Sequence, residues 1–241
     1  MLGRSLAYVA LVAYASAATL SVAHAQTRAV IELFTSQGCS SCPAADKLMG
    51  ELGSDPTLVT MSMPIDYWDY LGWKDTLADP RNTARQRGYS KVRADREVYT
   101  PQVVVNGSYH VLGSDRAAIE KVIAKSRQNG SALGLPVALL VAGGKLTASF
   151  AGDGRPAEVW AIGLAKSVTV TIGRGENKGK TITYHNVARS WQKLTSSDGK
   201  SWSVPLNEIE AEGVNRAAVL VQGGTSEKPG LIFGASIASI R

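Results

Sequence analysis

Cys39 and Cys42 are the only cysteines in this 241-residue chain, and they frame the run Cys39-Ser40-Ser41-Cys42-Pro43. Two thiols at that spacing can close a small disulfide ring or exchange it with another disulfide, Cys39 attacking and Cys42 resolving the mixed disulfide. A ring across so few residues removes little loop entropy, which argues against a purely stabilising bond. Half a zinc site has the same spacing, but no third or fourth cysteine completes one, so neither a metal nor a cofactor is expected. Soft thiolates also select copper(I), which keeps a copper metallochaperone as a further alternative. Ser40-Ser41 contain neither proline nor histidine, so the oxidase, reductase and isomerase directions all stay open.

The elements around the pair are what must position it. Ala29 to Phe34 is apolar enough for a buried strand, and Ala44 to Leu52 predicts a helix ending near Gly53, so the cysteines fall at a strand-to-helix turn. At a helix N-terminus, unpaired N–H groups and the helix dipole would stabilise the Cys39 thiolate. Such placement lowers a thiol pKa from about 8.5 to about 3.5–7.5. Pro43 suits the first helical turn, where its missing N–H costs no bond. Leu58 to Met63 reads as a second strand, followed by the aromatic and acidic segment Pro64 to Asp75. Asp79-Pro80 predicts a helix start and Gly88 its stop. Thr100-Pro101 leads into Gln102 to Val105, with Asn106-Gly107 as a hairpin turn into Ser108 to Leu112 and a last helix to about Gln128.

Several residues near the pair carry two readings. Glu32 shares its strand parity with Val30 and Phe34; it either accepts the proton of Cys42, with a pKa raised by burial, or reaches solvent as an ordinary strand residue. Trp68, Tyr70 and Trp73 either wall a substrate groove beside the thiols or pack a domain interface. His110 and His185 read as ordinary hydrogen-bonded residues. The run Gly173 to Thr181 lacks the glycine spacing and the following helix of a phosphate-binding loop, so it reads as a glycine-rich hairpin.

An opening Arg4, an apolar stretch from Leu6 to Val22 and Ala23-His24-Ala25 read as a secretory signal peptide over residues 1–25, with no stable membrane span once it is cleaved. The protein is therefore expected to be periplasmic or secreted, where disulfides persist. The formal charge of +6 is dispersed along the chain, which excludes a nucleic-acid-binding role. Residues 26–130 form the α/β unit. Gln128 to Pro136 reads as a linker, and residues 131–241 as an all-β, sandwich-like domain of about seven strands, separated by turns such as Gly143-Gly144, Asp153-Gly154 and Asp198-Gly199.

The order strand, helix, strand, helix, hairpin, helix, with Cys39-x-x-Cys42 and a later Thr100-Pro101, resembles the thioredoxin superfamily. That resemblance implies a cis Pro101 across from the cysteines, with Thr100 beside it, presenting backbone to an extended substrate. It also makes Glu32 the counterpart of the buried acid near the first strand. The fuller pattern from Glu32 to Pro43, with Asp66-Tyr67-Trp68-Asp69-Tyr70-Leu71-Gly72-Trp73, is similar to a secreted, thioredoxin-like bacterial family, domain of unknown function 1223. It implies fold and export, and no substrate. The leading expectation is an exported thiol-disulfide oxidoreductase acting on a protein or small-thiol partner through Cys39, Cys42, Pro101 and Glu32. A non-catalytic binding or envelope-assembly module with a structural disulfide is the alternative.

Overall fold

The computed structural model describes residues 26–128, 130–196 and 199–241. The signal peptide expected at residues 1–25 and Asp198 of the expected Asp198-Gly199 turn lie outside the described residues. No described helix is long and apolar enough to cross a membrane.

Strands β1 (Ala29–Thr35) and β2 (Leu58–Pro64) are buried along their whole length, as parallel strands covered on both faces must be. They pair in parallel, Leu33 opposite Ser62, with α1 (Cys42–Leu52) as the crossover. Helix α2 (Pro80–Arg93) opens on Asp79, whose side chain accepts from the Arg81 N–H. Strand β3 (Gln102–Val105) runs antiparallel to β1, and β4 (Tyr109–Leu112) returns beside it. Asn106 and Gly107 both take the positive φ that a tight hairpin turn requires. Helix α3 (Arg116–Gln128) follows.

The second half departs from the expected separate sandwich. It contains β5 (Ala138–Ala142), β6 (Lys145–Ser149), β7 (Glu158–Thr171), β8 (Thr181–Lys193), β9 (Ser201–Pro205), the single turn α4 (Leu206–Ile209), β10 (Val214–Gly224) and β11 (Pro229–Ser239). Four of these strands extend the first sheet, giving the order β11-β10-β7-β8-β2-β1-β3-β4, so the sheet crosses the boundary expected near residue 130. The join is parallel, Ser62 opposite Val187. Side chains reinforce it: Ser62 Oγ donates to the His185 carbonyl at 2.8 Å and Asn186 Nδ2 to Thr60 Oγ1 at 2.9 Å. Strand β7 runs unbroken for 14 residues beside β8, with a register shift between Gly163 and Leu164. The expected linker is partly strand-like in its bonding, since Leu133 and Leu135 donate to the Ile232 and Phe233 carbonyls of edge strand β11.

Alternation along the strands divides the core into layers. Val30 and Phe34 face α2 and share a cluster with Tyr89, Leu164, Ala218 and Leu220. Ile31 and Leu33 face the other way, against Ala45, Met49 and Ile119 of α1 and α3. On that second face, farther along the sheet, the small sheet β5-β6-β9 lays Leu146, Ala148 and Val204 on Val159, Ala161 and Val219. Each buried leucine or valine among them contributes about 1.5–3 kcal/mol through burial. The mixed α/β core is thus one large mixed sheet with helices on both faces and a second, antiparallel sheet layered on one end. Gly88 does not stop α2; a Cβ there would lie 2.7 Å from Pro229 Cδ and 2.8 Å from the Glu227 carbonyl, so glycine lets the helix meet the β10–β11 turn.

Candidate functional site

Cys39 and Cys42 form a disulfide, with Cα atoms 5.4 Å apart. The chain leaves β1 through Ser36-Gln37-Gly38 and enters α1 at Cys42, with Ser41 as the N-cap residue. Cys42 therefore holds the first helical position, two residues before the expected start at Ala44, and its N–H donates to the Cys39 carbonyl at 3.2 Å. Cys39 Sγ lies 3.5 Å from Ser41 Oγ. Ser40 and Ser41 are exposed, yet Cys39 is 3% exposed and Cys42 is fully buried.

What covers the pair is the turn between β7 and β8, residues 172–180. Asn177, fully buried, donates from Nδ2 to the carbonyls of Gln37 at 2.9 Å and Cys39 at 2.8 Å. Glu176 accepts from the Ser40 N–H at 3.2 Å, and Lys180 Nζ holds Asn177 Oδ1 at 2.9 Å. Trp73 closes the rear of this clasp: its indole N–H donates to Gln37 Oε1 at 2.8 Å, and its ring occupies the space where a Cβ on Gly173 would lie, 2.9 Å from Cζ3. The glycine-rich run read as a plain hairpin is thus the cover of the disulfide loop.

Trp68 ties that loop to the segment before β3. A Cβ on Gly38 would lie 3.0 Å from Trp68 Cβ, while the Trp68 indole N–H donates to Thr100 Oγ1 at 2.8 Å. The Thr100-Pro101 peptide is cis. Pro101 is buried against the start of α1: a Cβ on Gly113 would lie 3.2 Å from Pro101 Cβ and 3.3 Å from Ala45 Cβ, three residues beyond Cys42. Tyr70, 76% exposed, stacks on Trp68 at 6.2 Å. Trp68, Tyr70 and Thr100 therefore form one continuous rim, whereas Trp73 packs between the halves of the chain.

Glu32 is buried on the face it shares with Val30 and Phe34, as its strand parity predicts, and it has partners of its own there. Its side chain faces α2, on the side of the sheet opposite α1, and is fully buried. Arg85 Nε donates to it at 2.6 Å and Tyr89 Oη at 2.6 Å. The sheet stands between it and the thiols. The acid on the cysteine side is Asp46, one helical turn beyond Cys42, where helical side chains lean back toward the N-terminus. Burial, opposed by the Thr35 hydroxyl 2.7 Å away and aided by Asp75, pushes the Asp46 carboxyl up to about 8. Its Oδ2 is buried with no hydrogen-bond partner among the described residues. Burial likewise raises Asp75 to about 6, although the N–H groups of Gln37 and Leu77 hold it down. The buried Tyr184 hydroxyl, also without a partner among the described residues, is raised by burial and by both acids.

Sequence reasoning missed Asp46, Asp75 and Asn177. For Asp46 a signal existed: it falls on the buried stripe of α1 formed by Cys42, Ala45, Met49 and Leu52, where an acid is out of character. The histidines lie elsewhere: His110 meets Tyr99 Oη at 3.0 Å and Asp95 at 3.2 Å, and His185 lies over Gly50 of α1. Among the described residues no three of His, Cys, Asp or Glu are grouped as metal ligands.

Comparison with known proteins supplies a family and a fold relative. No curated protein matches the sequence. An Agrobacterium tumefaciens protein, solved by X-ray crystallography as a structural-genomics target, is similar in structure with a TM-score of 0.79 and 32% sequence identity, over 89% of this chain and 95% of that one. The family model for proteins of unknown function designated DUF1223 matches residues 30–222. With most of its length matched by that family model, this chain belongs to the DUF1223 family.

Proposed function

We propose that this protein is an exported, thioredoxin-like thiol-disulfide oxidoreductase, acting in the periplasm or outside the cell on a protein or small-thiol partner. The observation that carries the reading is the placement of the Cys39–Cys42 disulfide at the start of α1 with a proton-holding acid, Asp46, one turn farther on. The cis Thr100-Pro101 segment, tied to the cysteine loop by Trp68, supports it.

In the reduced state the Cys39 thiolate attacks one sulfur of a partner disulfide, forming a mixed disulfide and releasing the first partner thiolate. Asp46, as carboxylate, takes the proton of Cys42. The Cys42 thiolate then attacks Cys39 Sγ, closing the protein disulfide and releasing the second partner thiolate. Two electrons have passed from the protein to the partner, and the reverse sequence oxidises a dithiol. A pKa near 8 lets Asp46 hold or release a proton close to neutrality. Thr100, Trp68 and Tyr70 line the approach, and the Asn177 clasp must lift for Cys39 to be reached.

Turnover of a model disulfide by the purified protein tests the reading. Cys39→Ser abolishes turnover if the reading is right, and unchanged turnover in that variant removes it. The near-complete burial of both cysteines favours one second reading, a binding or assembly module whose disulfide is structural. In that case function survives replacement of both cysteines by serine.

A further inference from the structure

The C-terminal half of α2 and the chain that follows it border an open groove of about 450 Å3, lined by Arg87, Ser90, Lys91, Ala94, Arg96 and Val98. Arg87 and Lys91 lie about one helical turn apart, roughly 6 Å along the axis. Ala94 and Arg96 both take a positive φ, which turns the chain after the helix so that Arg96 and Val98 return to the same groove. Gln86, next to Arg87, ties this region to the rim beside the disulfide loop. Its Nε2 donates to the Tyr99 carbonyl at 2.8 Å, and its Oε1 accepts from the Tyr67 hydroxyl at 3.2 Å. Burial raises that hydroxyl to about 12, and the Arg87 charge opposes the rise. Tyr67 directly precedes Trp68, and Val98 lies two residues before Thr100. The groove is therefore a neighbour of the rim formed by Trp68, Tyr70 and Thr100.

The charge of this groove is unmatched. The other cations of α2 have acids of their own: Arg81 pairs with Asp79, Arg85 with Glu32 and Arg93 with Asp95. Arg87, Lys91 and Arg96, all exposed, have no ion pair among the described residues. Glu97, the next residue after Arg96, does not line the groove, and its charge acts on Tyr99 and on His110 of β4. The negative end of the α2 dipole favours Lys91 in the last turn, but the effect does not extend to Arg87 a turn earlier. Like charges four residues apart on one helix face repel each other. An anion lying in the groove relieves that repulsion.

Shape narrows the partner. Cations spaced along a helix and past its end suit the successive carboxylates of an extended chain better than a single phosphate, and a recess admits a chain where a flat bilayer would span it. We propose that this groove docks an acidic segment of the protein partner, alongside the rim at Thr100-Pro101. The inference names the partner class for the thiol-disulfide reading and rests on it, but its test reads binding without turnover, so the two fail separately. Disulfide exchange with no preference for acidic peptide overturns this inference alone. A preference located at the groove, without exchange, leaves the groove assigned and overturns only the oxidoreductase reading.

Fluorescence anisotropy of dye-labelled peptides, titrated with the full oxidised chain at low ionic strength, is the test. The probe is a peptide alternating glutamate with glycine, and the controls carry glutamine or lysine in place of glutamate. The glutamate peptide should bind about tenfold more tightly than the glutamine peptide, the combined worth of a few exposed ion pairs, and should lose that margin at high salt. Arg87→Gln, Lys91→Gln and Arg96→Gln together should bring the two peptides within about threefold of each other. Arg87→Glu, Lys91→Glu and Arg96→Glu together should transfer the preference to the lysine peptide. All three positions are exposed, so both variants should keep the parent circular dichroism. Glutamate and glutamine peptides within about threefold in the parent, or a margin that the glutamine variant leaves undiminished, overturns the proposal. Phosphatidylglycerol vesicles that retain the parent, release the glutamine variant and displace the peptide would assign the groove to a lipid surface and overturn it as well.

Discussion

Asn177 donates to the Cys39 carbonyl at 2.8 Å, joining a turn between two strands of the second half to the disulfide loop 138 residues earlier. The same amide nitrogen also holds the Gln37 carbonyl, so one side chain satisfies two acceptors of the loop. Removing it exposes both acceptors to competition and weakens the cover over the sulfurs. Asn177→Ala should therefore be reduced by dithiothreitol at least about tenfold faster, with about 1–3 kcal/mol lost from local stability. Stopped-flow tryptophan fluorescence reads the rate. A rate equal to that of the parent protein would mean that Cys39 is reached without lifting the clasp.

Asp46 makes stability depend on pH in a defined direction. Its carboxyl is raised to about 8 in the folded protein against 3.8 in the unfolded chain, so between those values the folded state holds the extra proton. Stability is therefore greatest at the acid end of that window and falls as pH rises toward 8, with Asp75, raised to about 6, adding the same sign over the lower part. Asp46→Asn should flatten this decline. Thermal midpoints measured from pH 5 to 8 check it, at about 2–4 °C per kcal/mol for a chain of this size. A parent protein whose midpoint rises across that interval would contradict the assignment.

Glu32 is buried in an ion pair with Arg85. Glu32→Gln leaves the Arg85 charge buried without its partner, and should cost about 3–5 kcal/mol. Thiol-disulfide exchange, measured below the lowered midpoint, should keep its parent rate. A selective loss of the resolving step in this variant would return Glu32 to the mechanism.

Gly88 sets two opposing effects against each other. Alanine in a helix gains up to about 1 kcal/mol over glycine, but a Cβ here meets the Glu227 carbonyl and Pro229 at under 3 Å. Overpacking of that kind costs about 1–3 kcal/mol, so Gly88→Ala should be destabilised, as chemical denaturation would show. A stabilised variant would mean that the β10–β11 turn moves away freely.

The local features of the first half were legible because each is written in neighbouring residues. Cys39 and Cys42 announce a disulfide by spacing, Asp79-Pro80 a helix start, and Asn106-Gly107 a hairpin. The continuous sheet was not legible. Ser62 and Val187 pair across 125 residues, and alternation along a strand says which face is apolar, not which strand lies beside it. Glu32 illustrates the same limit: its parity correctly gave burial, but burial on the α2 face differs from burial beside the thiols. Gly88 reads identically as a stop or as a close contact until the turn at Glu227 is placed against it.

The central claim is that the Cys39–Cys42 pair is poised to exchange electrons, and equilibrium titration against glutathione measures this most directly. The account predicts a reduction potential within the range of catalytic dithiols, about −120 to −270 mV, whereas structural disulfides fall below about −300 mV. A value in that lower range, with no reduction at accessible glutathione ratios, would contradict it.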